Sequence, residues 1–308
     1  MTQDVFRRRV FYIPGFDPFP PRRYRELYRT ESQEQAQISG YTITQEPLRD
    51  ADNFGWRVRS AIDGRESVSE IEVLTWSDLV KSSMFRGVFW TYIALFKTAW
   101  IYISSGALRD VMKLRKGPVI AALYPVGFLL AQLGFAILCA ALLCALLWSV
   151  HPILGVVTWG IIWPILGLFQ KYDGKIFAHY LMQDYAHTAR HRGAYDPELS
   201  ARLDVFGKSI ERALDDDYDE VLVVGHSSGA HLSVSVLARL ERAGVLGASC
   251  PVSFLSLGHV VPMVSFLPQA SELRADLKQL GHSDAVTWVD VTAPGAGCAF
   301  ALCDPVAV

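Results

Sequence analysis

From Gly117 to Gln170 the chain contains no Asp, Glu, Lys or Arg. A run that long without charge excludes a solvated surface, and it exceeds the roughly 20 residues that cross a bilayer. Strong net charge is also missing. The formal value of −2 removes any electrostatic case for nucleic acid as a partner. The five cysteines include no CxxC pair. No ligand-spaced histidine flanks Cys250, Cys298 or Cys303, so no metal is expected and a reduced, cytoplasmic setting fits. No signal peptide is expected in these first residues, because Arg7, Arg8 and Arg9 are followed by only a few apolar residues before Pro14 and Gly15. No internal repeat or low-complexity linker is visible, and no histidine follows His282.

The charge-free run is too long for one helix. Ser149-Val150-His151-Pro152 interrupts it, and the proline makes a natural break. The pattern predicts spans near 119–148 and 153–169, the second short and carrying Pro164. A buried helical hairpin in a soluble protein is the bland alternative. Arg109, Lys113, Arg115 and Lys116 precede the first span, and Lys171 and Lys175 follow the second. The connector carries neither Lys nor Arg. Both long arms are therefore expected on the cytoplasmic side of an integral membrane protein. Residues 84–103 are a third candidate for membrane contact. Val88, Tyr92, Phe96 and Ile103 recur at helical spacing, with Trp90 and Trp100 in excess. Arg86 and Lys97 argue against a full span, so an in-plane interfacial helix is expected, with a helix packed on the soluble part as the alternative.

The rest of the chain reads as α/β. A β-branched and aromatic run at 9–13 ends in Pro14-Gly15-Phe16-Asp17-Pro18, and 22–37 has helical spacing. Strand-like stretches near 41–45, 56–62 and 68–76 follow, with Asp63-Gly64 as a hairpin signal. After the membrane block, Asp196-Pro197-Glu198 opens a helix by capping, by proline geometry and by charge. The run of Asp215, Asp216 and Asp217 just past that helix reads as a solvated turn rather than a metal site. Strands at 221–224, 252–257 and 285–291 then alternate with helices at 230–242 and 271–280. Such alternation implies a mostly parallel sheet with helices on both faces. The expected division is 1–83 and 171–308 as the two parts of one α/β domain, interrupted by a membrane region at 84–170. The first strand must then pair with strands far along the chain.

Chemistry concentrates at Gly225-His226-Ser227-Ser228-Gly229, which follows the buried-strand run Val221-Leu222-Val223-Val224. A Gly-x-Ser-x-Gly turn between strand and helix holds a serine in a strained, exposed position. The pentapeptide alone is weak, and its flanking strand and helix give it weight. Acyl transfer also needs two donors aimed at the developing oxyanion. The backbone N–H of Ser228 supplies one, and the Gly15-Phe16 loop after the early strand is suited to supply the other.

At these residues, Val10 to Phe16 and Val221 to Val291, the chain resembles the α/β-hydrolase superfamily of lipases, esterases and thioesterases. The membrane hairpin points to a membrane-anchored branch. The resemblance implies Ser227 as nucleophile and Phe16 and Ser228 as oxyanion donors. It also implies a carboxylate and then a histidine after the nucleophile. The turn Thr292-Ala293-Pro294-Gly295-Ala296-Gly297 contains no carboxylate, so Asp290 is the nearest substitute and Asp304 a poorer one. No histidine follows either; His259, after strand 252–257 at the same sheet edge as Ser227, is the candidate base, with a structural or substrate-contact role as the alternative.

Two readings follow. One is a membrane-anchored serine hydrolase acting on an ester or thioester, lipids included, with no cofactor. Its partners are the lipid bilayer and a small-molecule or lipid ester. The other is a non-catalytic binding or assembly protein on the same scaffold, or a C-terminally shortened hydrolase that has lost its histidine. With no histidine after Asp290, little or no esterase turnover is expected unless His259 is the base.

Overall fold

The computed structural model describes residues 5–49, 52–84, 87–247, 250–293, 300 and 302–307. The element order is β1 (Phe6–Ile13), α1 (Arg22–Ser39), β2 (Thr42–Pro47), β3 (Gly55–Ile62), β4 (Arg65–Val73) and α2 (Ser77–Ser83). Then come α3 (Val88–Ser104), α4 (Ala107–Val111), α5 (Lys116–Trp148), α6 (Pro152–Val157), a 3-10 turn, α7 (Ile162–Lys171) and α8 (Ala178–Arg190). The chain continues with α9 (Pro197–Leu214), β5 (Glu220–His226), α10 (Ser228–Arg242), β6 (Val252–Leu257), α11 (Val261–Ser265), α12 (Ser271–Leu280) and β7 (Val286–Val291). These elements form two compact units. One comprises residues 1–82, 194–265 and 269–308; the other comprises 83–193 and 266–268. Residues 171–193 thus belong with the helical unit rather than with the α/β part.

The first unit is built on a seven-stranded sheet of order β2-β3-β4-β1-β5-β6-β7. Strands β4, β1, β5, β6 and β7 run parallel, and β2-β3-β4 is an antiparallel meander. β1 pairs with β5 in register Arg8↔Glu220 to Ile13↔Gly225, across the whole helical insertion. Alternation sorts the strand residues. Val221 and Val223 face α10, and Leu222 and Val224 face the α1 side of the sheet, where α1 contributes Tyr24, Leu27 and Tyr28. Asp196 accepts from Leu199 N at 2.8 Å and caps α9, as its sequence signature predicts.

β1 carries three consecutive arginines, each paired with a carboxylate. Arg7 pairs with Asp217 at 2.8 Å and Arg8 with Glu220 at 2.5 Å. Arg9 reaches both Glu70, at 3.0 Å, and Glu72. Glu70 also accepts from Arg57 and from the Tyr218 hydroxyl, and Glu72 from Asn53. Buried carboxylates are tolerated here because every one is paired. Burial alone would raise the Glu70 pKa. The hydrogen bonds from Tyr218 and Arg57 and the charges of Arg57 and Arg9 outweigh it and hold the group below its ordinary value.

The second unit is helical. Two of its segments, Lys116–Trp148 and Pro152–Lys171, are long and apolar enough to cross a membrane. α5 has 33 residues and is about 50 Å long. A hydrocarbon core of about 30 Å needs only some 20 of them. Four of its eight buried positions are alanine, Ala121, Ala122, Ala136 and Ala140, and small residues let helices approach closely. Pro125 lies inside α5 and has no N–H to give the Ala121 carbonyl one turn earlier. The Tyr185 hydroxyl of α8 donates to that carbonyl at 3.1 Å instead. Tyr92 of α3 donates to Leu129 O at 3.0 Å, and Tyr124 of α5 donates to Ile176 O at 2.7 Å. α3 is amphipathic in an unusual sense: Tyr92, Leu95 and Tyr102 are buried, and Phe89, Trp90, Phe96, Trp100 and Ile103 are exposed.

Candidate active site

Ser227 sits between the last residue of β5 and the first of α10, with φ 55° and ψ −121°. A non-glycine residue in that region stores on the order of 1–3 kcal/mol of strain, which surrounding contacts must hold. Those contacts run through glycines. A Cβ on Gly229 would lie 2.6 Å from Pro14 O and closer still to Ile13 O, so the first turn of α10 rests directly on the end of β1. A Cβ on Gly225 would meet Ser233 Oγ at 2.6 Å and the Ala230 Cα at 2.7 Å. A Cβ on Gly15 would meet Ser227 Cβ at 3.0 Å and Ser227 Oγ at 3.5 Å. The loop after β1 therefore lies against the serine, and a larger residue at any of these positions would push strand, helix and loop apart.

The loop is braced on both sides. Trp76 Nε1 donates to Pro14 O at 2.9 Å, and the Phe16 ring meets Trp76 edge-on at 6.0 Å. Asp17 accepts from Phe19 N at 2.9 Å and from the Tyr24 hydroxyl at 2.7 Å. The Asp17 turn was missed in the sequence, although Asp-Pro-Phe-Pro carries a signal for it, a side chain closing on the backbone two residues on. The sequence carried no local signal for Trp76 or Tyr24, which arrive through the tertiary fold. Phe16 and Ser228, the candidate oxyanion donors, are both 3 % exposed and flank the serine from the loop and from the helix.

His226 is exposed at its edge, yet desolvation by the atoms around it lowers its imidazole pKa, against the raising effect of Asp17. Its strand parity is that of Leu222 and Val224, so it belongs to the opposite face from α10. That face holds a groove of about 430 Å³ whose lining includes Tyr12, Tyr24, Tyr28, Trp56, Leu255 and Leu257. The volume and apolar lining are those of a small-molecule site. Leu257, at one end of the groove, accepts from Ser227 N at 3.0 Å.

The sheet brings the other candidates to the same edge on neighbouring strands. Gly225 of β5, Ser256 of β6 and Asp290 of β7 are in register. Asp290 accepts from Ser256 Oγ at 2.5 Å, and Trp288 Nε1 donates to the same hydroxyl at 3.0 Å. His259, two residues past β6, is fully buried. Its Nε2 lies 3.9 Å from Asp290 Oδ2 and 2.9 Å from the Cys303 carbonyl, and its Nδ1 accepts from Val261 N at 3.3 Å. The pair Asp290–His259 is thus close to assembled. No hydrogen bond joins His259 to Ser227, and among the described residues Ser227 Oγ has no hydrogen-bond partner. The turn at 294–297 lies outside the described residues. Asp304 is spent on its own turn, accepting from Val306 N at 2.9 Å. Among the described residues no group of three or more metal-ligating side chains occurs. Comparison of the chain with family models, with curated proteins and with solved structures finds no match in any of the three.

Proposed function

We propose that the protein is a membrane-anchored serine hydrolase that cleaves an ester or thioester through an acyl-enzyme. One observation carries this reading: the strained backbone of Ser227 at a strand–helix junction, held by glycine contacts against the loop after β1. In this reading Ser227 Oγ attacks the carbonyl carbon, and the N–H groups of Phe16 and Ser228 receive the negative charge on oxygen. The leaving group departs with a proton, and water then releases the acid. Asp290 is the acid that orients His259 through Nε2, which leaves Nδ1 to take the serine proton. Turnover therefore requires His259 to exchange its contacts with Cys303 and Val261 for Asp290 and Ser227. The groove with its aromatic lining supports an apolar acyl or alcohol portion, lipid esters included. The apolar hairpin supports anchoring in a bilayer, with the α/β unit on the cytoplasmic side.

A second reading, a binding or assembly scaffold without catalysis, is favoured by the absence of a base on Ser227 Oγ among the described residues. A p-nitrophenyl ester assay separates the two. Hydrolysis lost in both Ser227→Ala and His259→Ala supports the hydrolase with this base. Hydrolysis that survives Ser227→Ala removes the nucleophile, and no hydrolysis at all leaves the scaffold.

A further inference from the structure

The segments that enter and leave the apolar hairpin carry a collar of six cations, five of which the described residues do not neutralise. Arg109 lies on α4, Arg115 and Lys116 open α5, and Lys113 lies between; Lys171 ends α7 and Lys175 follows it. All six are exposed. The hydrogen bond from Tyr124 to Ile176 O ties the start of α5 to the end of α7, so both groups ring the same end of the hairpin. The acids in these two stretches, 107–116 and 171–175, are Asp110 and Asp173. Asp110 pairs with Lys113 at 2.6 Å, and Asp173 accepts from the backbone N–H groups of His179 and Tyr180, both at 2.9 Å. Among the described residues, Arg109, Arg115, Lys116, Lys171 and Lys175 have no ion-pair partner. Beside the cations in sequence stand the exposed apolar side chains Met112, Tyr172 and Phe177.

Cations left unpaired around apolar side chains, at the end of an apolar hairpin, suit a surface that is itself anionic and oily. We infer that this collar binds the headgroups of anionic phospholipids and draws them out of a mixed bilayer. The inference rests on the reading of 116–171 as a membrane hairpin. Near an anionic surface each such cation contributes a factor of about five to binding. Mobile salt screens the effect beyond about 10 Å at ordinary ionic strength.

The test uses the full chain in vesicles of phosphatidylcholine with a minority of phosphatidylglycerol. Bromine is placed on one lipid or the other, and tryptophan quenching reads which lipid surrounds the protein. Brominated phosphatidylglycerol is expected to quench more than its mole fraction warrants. The excess should vanish in a variant with Arg109, Arg115, Lys116, Lys171 and Lys175 changed to Gln, and should shrink in high salt. Alkaline carbonate washing of the same vesicles reads the hairpin separately. Quenching by mole fraction alone, in a protein that resists carbonate, overturns the collar and spares the hairpin. Release by carbonate overturns both.

Discussion

Replacing Gly229 by alanine places a methyl group against the end of β1. The new Cβ would lie 2.6 Å from Pro14 O and nearer still to Ile13 O, where a carbon–oxygen contact normally needs about 3.3 Å. Both obstacles are main-chain atoms, and β1 is hydrogen-bonded to β4 on one side and β5 on the other. No side chain can turn aside, so helix or strand must retreat by about 1 Å. Overpacking of this kind costs about 1–3 kcal/mol, and the rigid partners place it at the upper end. The helical gain of about 0.5–1 kcal/mol from Gly to Ala offsets part of it. A net loss of about 2 kcal/mol is expected. Gly207, inside α9, is the control. Its Cβ would meet Leu240 Cδ2 at an ordinary 3.7 Å, so Gly207→Ala should stabilise by about 0.5–1 kcal/mol. Urea midpoints in detergent, followed by tryptophan fluorescence, read both. A Gly229→Ala protein as stable as the parent would refute the close packing of the elbow on β1, and a Gly207→Ala protein that falls equally would refute the contrast.

Ser227→Gly should raise the midpoint by about 1 kcal/mol through release of backbone strain, and Ser227→Ala should not; equal effects from both would show that the strain is absent. Arg9→Met should cost about 3–5 kcal/mol by leaving the buried Glu72 with Asn53 alone, measured by the same unfolding series. The depressed pKa of Glu70 gives stability that is complete above the ordinary carboxylate pKa of about 4.3 and is lost as pH falls through the lower folded value. Glu70→Gln should therefore flatten the fall in midpoint below that pH while leaving a loss at neutral pH. Tyr185→Phe should cost about 1–3 kcal/mol in the helical unit, because Ala121 O loses the donor that replaces the missing N–H of Pro125. Loss of the helical circular dichroism at lower temperature reads it.

Much of this architecture was legible in periodicity and turn chemistry. The buried run before Gly225 gave β5, Asp196-Pro197 gave the start of α9, and Asp63-Gly64 gave the β3–β4 hairpin. The alternation of strands and helices after 194 gave the parallel order, and the long pairing of β1 with β5 followed from it. The antiparallel β2-β3-β4 edge was legible only in part, because strand direction depends on which neighbour pairs. Short elements such as α2, α4 and α11 escaped, since five to seven residues do not establish a helical period. At the site, the Gly-x-Ser-x-Gly pattern announced the bend at Ser227. The attachment of His259 to Cys303 was out of reach, because it depends on where the segment after β7 folds. The bracing of the Gly15 loop by Trp76 was hidden for the same reason, since that indole reaches it across 62 positions of sequence.

The proposed chemistry depends on whether Ser227 is a nucleophile. A fluorophosphonate probe added to the protein in membranes, followed by mass analysis of the labelled peptide, answers this without knowledge of the substrate. The account predicts a phosphonate on Ser227, lost in Ser227→Ala and sharply slowed in His259→Ala. A folded protein that takes up no label, or takes it up equally when Ser227 is alanine, would contradict it.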